Sequence, residues 1–337
     1  MRNSSIELLR IILMLMIIAL HLMMNHETFY SLTNVDEIIE LLFRSMFCVA
    51  VDAFVLISGF YGIQFKKERL FNLVIQSFFY STFFMVVVIL LGWHPINIRT
   101  DMFALIPILT KRYWFITSYF ALYVISPWLN NWVESLDSSK YRKFLLVGFL
   151  IVYVWPTFNF MINAPQLVED AGYGIVNFVY LYMLGRYIHL YYIKRHSTAY
   201  YLRGYFIFTF LSFICQYSMS WMLGFEFTSW MSYNTIFCLI GSICIFMAFK
   251  EMTLHSPIIN YWAKPCLAVY LIHMSPFILS RFCISIKVND FHGLPYMLLI
   301  LTLPFLIYII CAIIEICRSH LLGRFENKLF SLISKIK

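Results

Sequence analysis

Arg10 and His21 are ionisable side chains within an apolar run, ELLRIILMLMIIALHLMMNH (7–26), that is long enough to cross a bilayer. An α-helix turns by about 100° per residue, so their spacing predicts one shared face and a rise of about 16 Å between them. An ionisable group inside a membrane is costly unless it faces a wet cavity or a partner. The pair therefore indicates a functional site. The alternative is that Arg10 and His21 reach the headgroups on opposite sides of the membrane.

A carboxylate follows in the next apolar run, RSMFCVAVDAFVLISGFYGI (44–63), where Asp52 lies mid-span. A buried carboxylate needs a partner, and the sequence offers Arg10, Arg44 or a protonated histidine. Neighbouring helices that carry arginine, histidine and aspartate are typical of an enzyme or a transport site. A purely structural polar contact between helices is the alternative role for Asp52.

Membrane-spanning helices must position these side chains. Of the 337 residues, 61% are hydrophobic and 12% are charged, and the mean hydropathy of +0.77 lies outside the range of soluble proteins. Apolar runs near the length that spans roughly 30 Å of hydrocarbon recur along the whole chain. We predict ten spans, at about 5–26, 38–62, 70–92, 113–133, 143–163, 174–193, 204–224, 230–249, 264–282 and 294–317.

The runs predict an all-α integral membrane protein, a bundle of about ten transmembrane helices. Strands of a membrane barrel would alternate apolar and polar residues in segments of about ten. In contrast, FLLVGFLIVYVW (144–155) and MLLILTLPFLIYIICAII (297–314) are continuously apolar. Placing the N- and C-termini in the cytoplasm puts most lysines and arginines in inside loops, as the positive-inside rule expects. We predict a transmembrane domain over 1–317 and a basic amphipathic cytoplasmic tail over 318–337, lying on the inner membrane surface.

The net charge of +8 follows from this topology, because the basic residues occupy several short inside loops rather than one patch. Membrane lipid is therefore a predicted partner, and nucleic acid is not. The eight cysteines form no C-x-x-C pair and fall mostly inside the predicted helices. We interpret them as small buried apolar residues, with no metal site and no disulfide framework.

Several segments, in this order and over nearly the whole chain, resemble the acyltransferase-3 family of multi-pass membrane O-acyltransferases, which modify bacterial surface glycans. The most specific mark is a basic residue and a histidine with ten residues between them, matched by Arg10 and His21. Lys66 and Arg69 match the spacing of a family motif that usually has two arginines, although lysine lacks the bidentate fork of arginine. The other similar segments are VDAFVLISGF (51–60), YWFITSYFALYVISPWLN (113–130), YMLGRYI (182–188) and LAVYLIHMSPF (267–277).

The resemblance implies transfer of an acetyl group from cytoplasmic acetyl-CoA to a hydroxyl of a surface polysaccharide or of its lipid-linked precursor, in the inner membrane of a bacterium. His21 is implied as the general base, or as the group that first accepts the acetyl, since histidine titrates near neutral pH. Asp52 would orient or charge-balance His21 or Arg10. The donor's phosphates would bind an inner rim of Arg10, Lys66, Lys67 and Arg69.

Three more residues are weaker candidates for binding the acceptor substrate. His273 matches the family pattern, with a structural hydrogen bond to another helix as the alternative. Arg44 faces the acceptor or reaches the headgroups. Trp114 stacks on a sugar or belongs to the aromatic belt at the membrane surface.

A carrier or flippase for a lipid-linked sugar or a small metabolite is the second function class that fits Arg10, His21 and Asp52. Transporters often show internal repeats with broken helices in corresponding positions. The first and second five predicted spans show no such repeat, which favours the enzyme. The oligomeric state and the acceptor sugar are not indicated by the sequence.

Overall fold

A computed structural model describes residues 3–26, 34–93, 95–162, 164–165, 170–194, 196–224, 232–275 and 278–334. These residues contain helices and no strand. The helices are α1 Ser4–Met23, α2 Val35–Phe47, α3 Val49–Tyr61, α4 Lys67–Leu90, α5 Ile98–Leu105, α6 Trp114–Ser135, α7 Ser138–Phe149, α8 Trp155–Met161, α9 Ile175–Tyr191, α10 Thr198–Leu223, α11 Ile236–Lys250, α12 Pro257–Trp262, α13 Cys266–His273, α14 Ile278–Ser285 and α15 Gly293–Ile333. A π-helical turn, Leu150–Val154, joins α7 to α8.

The all-α prediction is confirmed for the described residues, and six helical stretches are long and apolar enough to cross a membrane. They are Ser4–Met23, Val35–Tyr61, Lys67–Leu90, Ser138–Met161, Thr198–Leu223 and Gly293–Ile333. The other four predicted runs are helical as well, at α6, at α9 with 17 residues, at α11 with 15, and at the pair α13 and α14. A count of ten spans and the cytoplasmic termini stay predictions.

Helix α15 is a single helix of 41 residues, and it continues without a break past the predicted domain boundary at 317. At a rise of 1.5 Å per residue its length is about 60 Å, roughly twice the hydrocarbon thickness. Its distal part keeps apolar side chains exposed, including Leu321, Phe325 and Leu332. The division into a membrane domain and a surface-lying tail stays a prediction, and 335–337 lie outside the described residues.

Helices α1 and α3 lie in the centre of the bundle. Leu9, Leu13 and Ile18 of α1 are fully buried, with Leu9 and Ile18 on opposite sides of the helix. The N-terminus of α1 is fixed by the segment that precedes α12: the Ser5 hydroxyl donates to the Met252 carbonyl (2.9 Å) and accepts from the Leu254 amide (3.1 Å). These contacts hold the polar face of α1 at a defined height and rotation.

Helices α3 and α9 approach each other closely through glycines. A Cβ atom at Gly185 would lie 2.6 Å from the Leu56 carbonyl oxygen, and one at Gly59 would collide with the Tyr182 carbonyl. Small residues at helix interfaces allow this close backbone contact in membrane proteins. The contact sets the position of α3, which forms one wall of the cavity described next.

Candidate active site

A cavity of about 1350 Å³ lies between α1, α3, α4, α6 and α13. Its volume exceeds the roughly 300–1000 Å³ of an ordinary small-molecule pocket, so it has room for one large ligand or for two. Both Arg10 and His21 line it, as their spacing on one helix face predicts. Since they are separated by about 16 Å along α1, the cavity extends through a large part of the membrane's thickness.

One end of the cavity is basic, and we call Arg10 and Arg69 together the basic end. Both line the wall, and the ring of Tyr119 lies close enough to interact electrostatically with each. Arg10 also forms an ion pair with Glu7, with 2.9 Å between Nη1 and Oε2. Glu7 therefore offsets part of the positive charge at this end.

Lys66 and Lys67 are not brought to the basic end. Both are exposed, and neither is among the described residues that line the cavity. The Lys66 amide instead donates to the Tyr123 hydroxyl (2.9 Å), which fixes the connection between α3 and α4. Of the predicted basic rim, the structure thus places Arg10 and Arg69 on the wall and leaves the two lysines outside it.

His21 on α1 and His273 at the end of α13 are in contact, with 3.1 Å between His21 Nδ1 and His273 Nε2. His273 is 2% exposed, and its Nδ1 lies 2.6 Å from the carbonyl oxygen of Val269, one turn earlier. His273 is thus not on the cavity wall as a free ligand-binding group. It is the buried support of His21.

The proton positions of the histidine pair follow from these partners. A carbonyl oxygen only accepts hydrogen bonds, so His273 Nδ1 carries the hydrogen that is donated to Val269. In a neutral ring the other nitrogen, Nε2, is then the acceptor, and His21 Nδ1 must donate to it. His21 is left with the lone pair on Nε2. This is the tautomer that a general base on the cavity wall requires.

Asp52 is fully buried, and the predicted pairing with Arg10, Arg44 or a histidine is wrong. Its oxygens accept from neutral groups: the Asn177 side-chain amide at 3.2 Å and the Cys238 thiol at 3.7 Å. The side chain points from α3 towards α9 and α11, away from α1. A direct role of Asp52 at His21 has no geometric basis among these contacts.

Arg44 lines the cavity beyond His21, and it is held by an acid that sequence reasoning missed. Its Nη2 lies 2.7 Å from Oε2 of Glu40. The other oxygen, Oε1, contacts His26 Nδ1 (2.8 Å) and accepts from the Tyr296 hydroxyl (2.6 Å). The sequence could have predicted this ion pair, because Glu40 and Arg44 are opposite charges at i, i+4 spacing on one helix.

Trp114 also lines the cavity, where it packs against two tyrosines, Tyr173 and Tyr233. Sequence reasoning did not select these tyrosines, because each lies outside the regular helices and far from Trp114 along the chain. Among the described residues, no group of three or more histidine, cysteine, aspartate or glutamate side chains is arranged to bind a metal ion.

The family model of acyltransferase-3, described as an acyltransferase domain, matches residues 3–316, nearly the whole chain. No curated protein and no solved structure gives a significant match.

Proposed function

Because the chain belongs to the acyltransferase-3 family and is therefore a multi-pass membrane acyltransferase, we propose that it transfers an acetyl group from cytoplasmic acetyl-CoA to a hydroxyl of a cell-surface polysaccharide or of its lipid-linked precursor. Its location would be the inner membrane of a bacterium. The observation that carries the proposal is a single cavity with Arg10 and Arg69 at one end and His21, backed by His273, farther along.

The donor would enter at the basic end. Arginine guanidinium groups bind phosphate oxygens through paired hydrogen bonds, so we assign the phosphates of CoA to Arg10 and Arg69 and leave Lys66 and Lys67 out. The rise of about 16 Å from Arg10 to His21 along the helix matches the reach of the pantetheine arm, on the order of 15–20 Å at the covalent dimensions of a chain. The thioester would then lie beside His21.

The lone pair on His21 Nε2 takes the proton of the acceptor hydroxyl as its oxygen attacks the thioester carbonyl. The new C–O bond forms, the C–S bond breaks, and the proton passes from the imidazolium to the departing CoA thiolate. In the charged state both ring nitrogens of His21 carry hydrogen, and Nδ1–H still donates to His273. The products are the acetyl ester and free CoA. A two-step route, in which Nε2 itself accepts the acetyl group, uses the same lone pair.

The central test is transfer from radiolabelled acetyl-CoA to surface polysaccharide in membranes, with the wild type compared with His21→Ala. Loss of the base is expected to lower the rate by about 10²–10⁴-fold. The matched control is His255→Ala, because His255 is exposed and lies outside the cavity. Label that enters no glycan in wild-type membranes, although the protein is correctly inserted, would reject the transferase in favour of the carrier.

The donor site has its own test, the dissociation constant of CoA for the protein in nanodiscs. Arg69→Ala is expected to weaken binding by about 10-fold or more, since a hydrogen bond to a charged group contributes roughly 1.5–3 kcal/mol. Lys67→Ala, two residues away but off the wall, should leave the constant unchanged. Equal effects of the two substitutions would contradict the assignment of Arg69.

A further inference from the structure

Trp114, Tyr173 and Tyr233 form a compact group of rings on the cavity wall, which we call the aromatic wall. The ring centroids are 4.4 Å apart for Trp114 and Tyr173, 4.8 Å for the two tyrosines, and 5.7 Å for Trp114 and Tyr233. All three line the same cavity as His21. A membrane-surface belt would instead turn its rings towards lipid.

The aromatic wall lies away from the basic end, at about the depth of His21. Helix α6 starts at Trp114. Nine residues later the Tyr123 hydroxyl accepts from the Lys66 amide, three residues before Arg69. The rise over nine residues is about 13 Å. A ligand on the aromatic wall would therefore lie near the depth of His21 and well away from the donor's phosphates.

Ring contacts connect the aromatic wall to the histidine pair. Phe115, adjacent to Trp114, packs against Tyr270 with centroids 5.7 Å apart. Tyr270 in turn packs edge-on against His273 at 5.9 Å, and His273 supports His21. The wall and the base are thus parts of one packed surface, which holds their separation constant.

Tyr173 is held on the wall by hydrogen bonds that the backbone of its loop accepts from two other segments. The Ser118 hydroxyl donates to the Tyr173 carbonyl (2.9 Å), and the Tyr233 amide donates to the Ala171 carbonyl (3.0 Å). Between them, Gly172 has φ of +81°, and a Cβ there would lie 2.7 Å from the Asn234 amide nitrogen. The turn therefore requires glycine.

The same loop is connected to the buried carboxylate of Asp52 through hydrogen bonds of Asn177. The Asn177 amide group donates both to the Gly172 carbonyl (3.1 Å) and to Asp52 (3.2 Å), and its own oxygen accepts from the Tyr153 hydroxyl (2.5 Å). With its oxygen and both hydrogens engaged, the Asn177 side chain has a single orientation. Asp52 thus connects through Asn177 to the loop that carries Tyr173.

We propose that the aromatic wall binds a pyranose ring of the acceptor, and that Asp52 and Asn177 are positioning residues for it. The C–H faces of a sugar pack on aromatic rings, while tyrosine hydroxyls and the nearby Ser232 on the cavity wall bind sugar hydroxyls. The inference rests on the proposed transferase function and adds the site that binds the sugar and the residues that position this site. A bound sugar would present a hydroxyl to His21 Nε2.

The first test is the KM for polysaccharide in the acetyl-transfer assay. Trp114→Ala and Tyr173→Ala should each raise it by about 3- to 10-fold, the loss of one ring contact, with unchanged CoA binding. The matched control is Trp128→Ala, the same substitution on the same helix at a side chain that is 69% exposed. Saturation-transfer NMR with methyl glucoside, methyl galactoside and methyl N-acetylglucosaminide measures binding without transfer.

The two assays separate the proposals. In one outcome the wild type transfers no acetyl but binds a methyl glycoside, and Tyr173→Ala loses that binding. This result would reject the transferase and keep the sugar site. The opposite outcome is that the wild type transfers acetyl while both wall variants keep the wild-type KM and the wild-type glycoside contacts. That result would overturn the sugar site and keep the transferase.

Asp52 gives a second, independent readout. Asp52→Asn keeps an oxygen that accepts from Asn177, so it should have nearly wild-type kinetics, whereas Asp52→Ala should raise the polysaccharide KM by about 3- to 10-fold, as loss of Tyr173 does. The kcat should change little in both. If the carboxylate charge itself acted in catalysis, Asp52→Asn would lower kcat as strongly as Asp52→Ala, which would overturn the positioning role.

Discussion

At the scale of single residues, the histidine pair is the part of the site with the most defined chemistry. One hydrogen bond, from His273 to the Val269 carbonyl, sets the tautomer of both rings and leaves His21 with a lone pair on Nε2. The ring of His273 is buried and does not line the cavity. It therefore acts through His21 rather than on substrate.

Removing His273 is predicted to affect turnover and not binding. His273→Ala should lower kcat by about 10²-fold, at the lower end of the contribution of general-base catalysis, with the KM of both substrates unchanged. His273→Gln should recover part of the rate, because its side-chain oxygen accepts from His21 Nδ1. Steady-state kinetics of the two variants measure this. Equal losses in alanine and glutamine variants would indicate a packing role only.

At the scale of helices, the site depends on pairs that pack closely rather than on any one element. Helix α1 supplies Arg10 and His21, α13 supplies His273, and α3, positioned by its contact with α9, forms another wall. The α3 and α9 contact leaves no space for a methyl group at Gly185. Protein interiors packed at this density respond to added volume by moving backbone.

Gly185→Ala is predicted to destabilise the protein by about 1–3 kcal/mol, the usual range for overpacking. The matched control is Gly323→Ala on α15, where an added Cβ has no neighbour within 4 Å; it should be neutral or stabilising by up to about 1 kcal/mol from helix propensity. Thermal unfolding in detergent compares them. A Gly185→Ala protein as stable as the wild type would show that the two helices separate without cost.

At the scale of the whole molecule, the cavity has room for both proposed substrates beside His21. Its basic end and its aromatic wall lie in different parts of the cavity, and its volume of about 1350 Å³ is large enough for two substrates. This arrangement serves a transmembrane transfer only if the basic end faces the cytoplasm, where CoA is present.

The orientation is predicted to place both termini in the cytoplasm, from the distribution of lysine and arginine. A green fluorescent protein fused to the C-terminus should therefore fluoresce, and alkaline phosphatase fused there should be inactive. Phosphatase inserted after Gly92, at the predicted outer end of the third span, should be active. The reverse pattern would place the basic end outside and reject cytoplasmic CoA as donor.

The sequence by itself determined the membrane class, the helical fold and the shared face of Arg10 and His21, because composition and helical periodicity are local properties of the chain. The packing decided what was not local: His273 contacts His21 from 252 residues away, and Asp52 turns to Asn177 instead of a cation. Contacts between distant helices depend on which faces pack together, and apolar faces of similar composition do not specify their partners in sequence. The tertiary structure alone therefore decided which polar residues of other helices join Arg10 and His21 at the cavity.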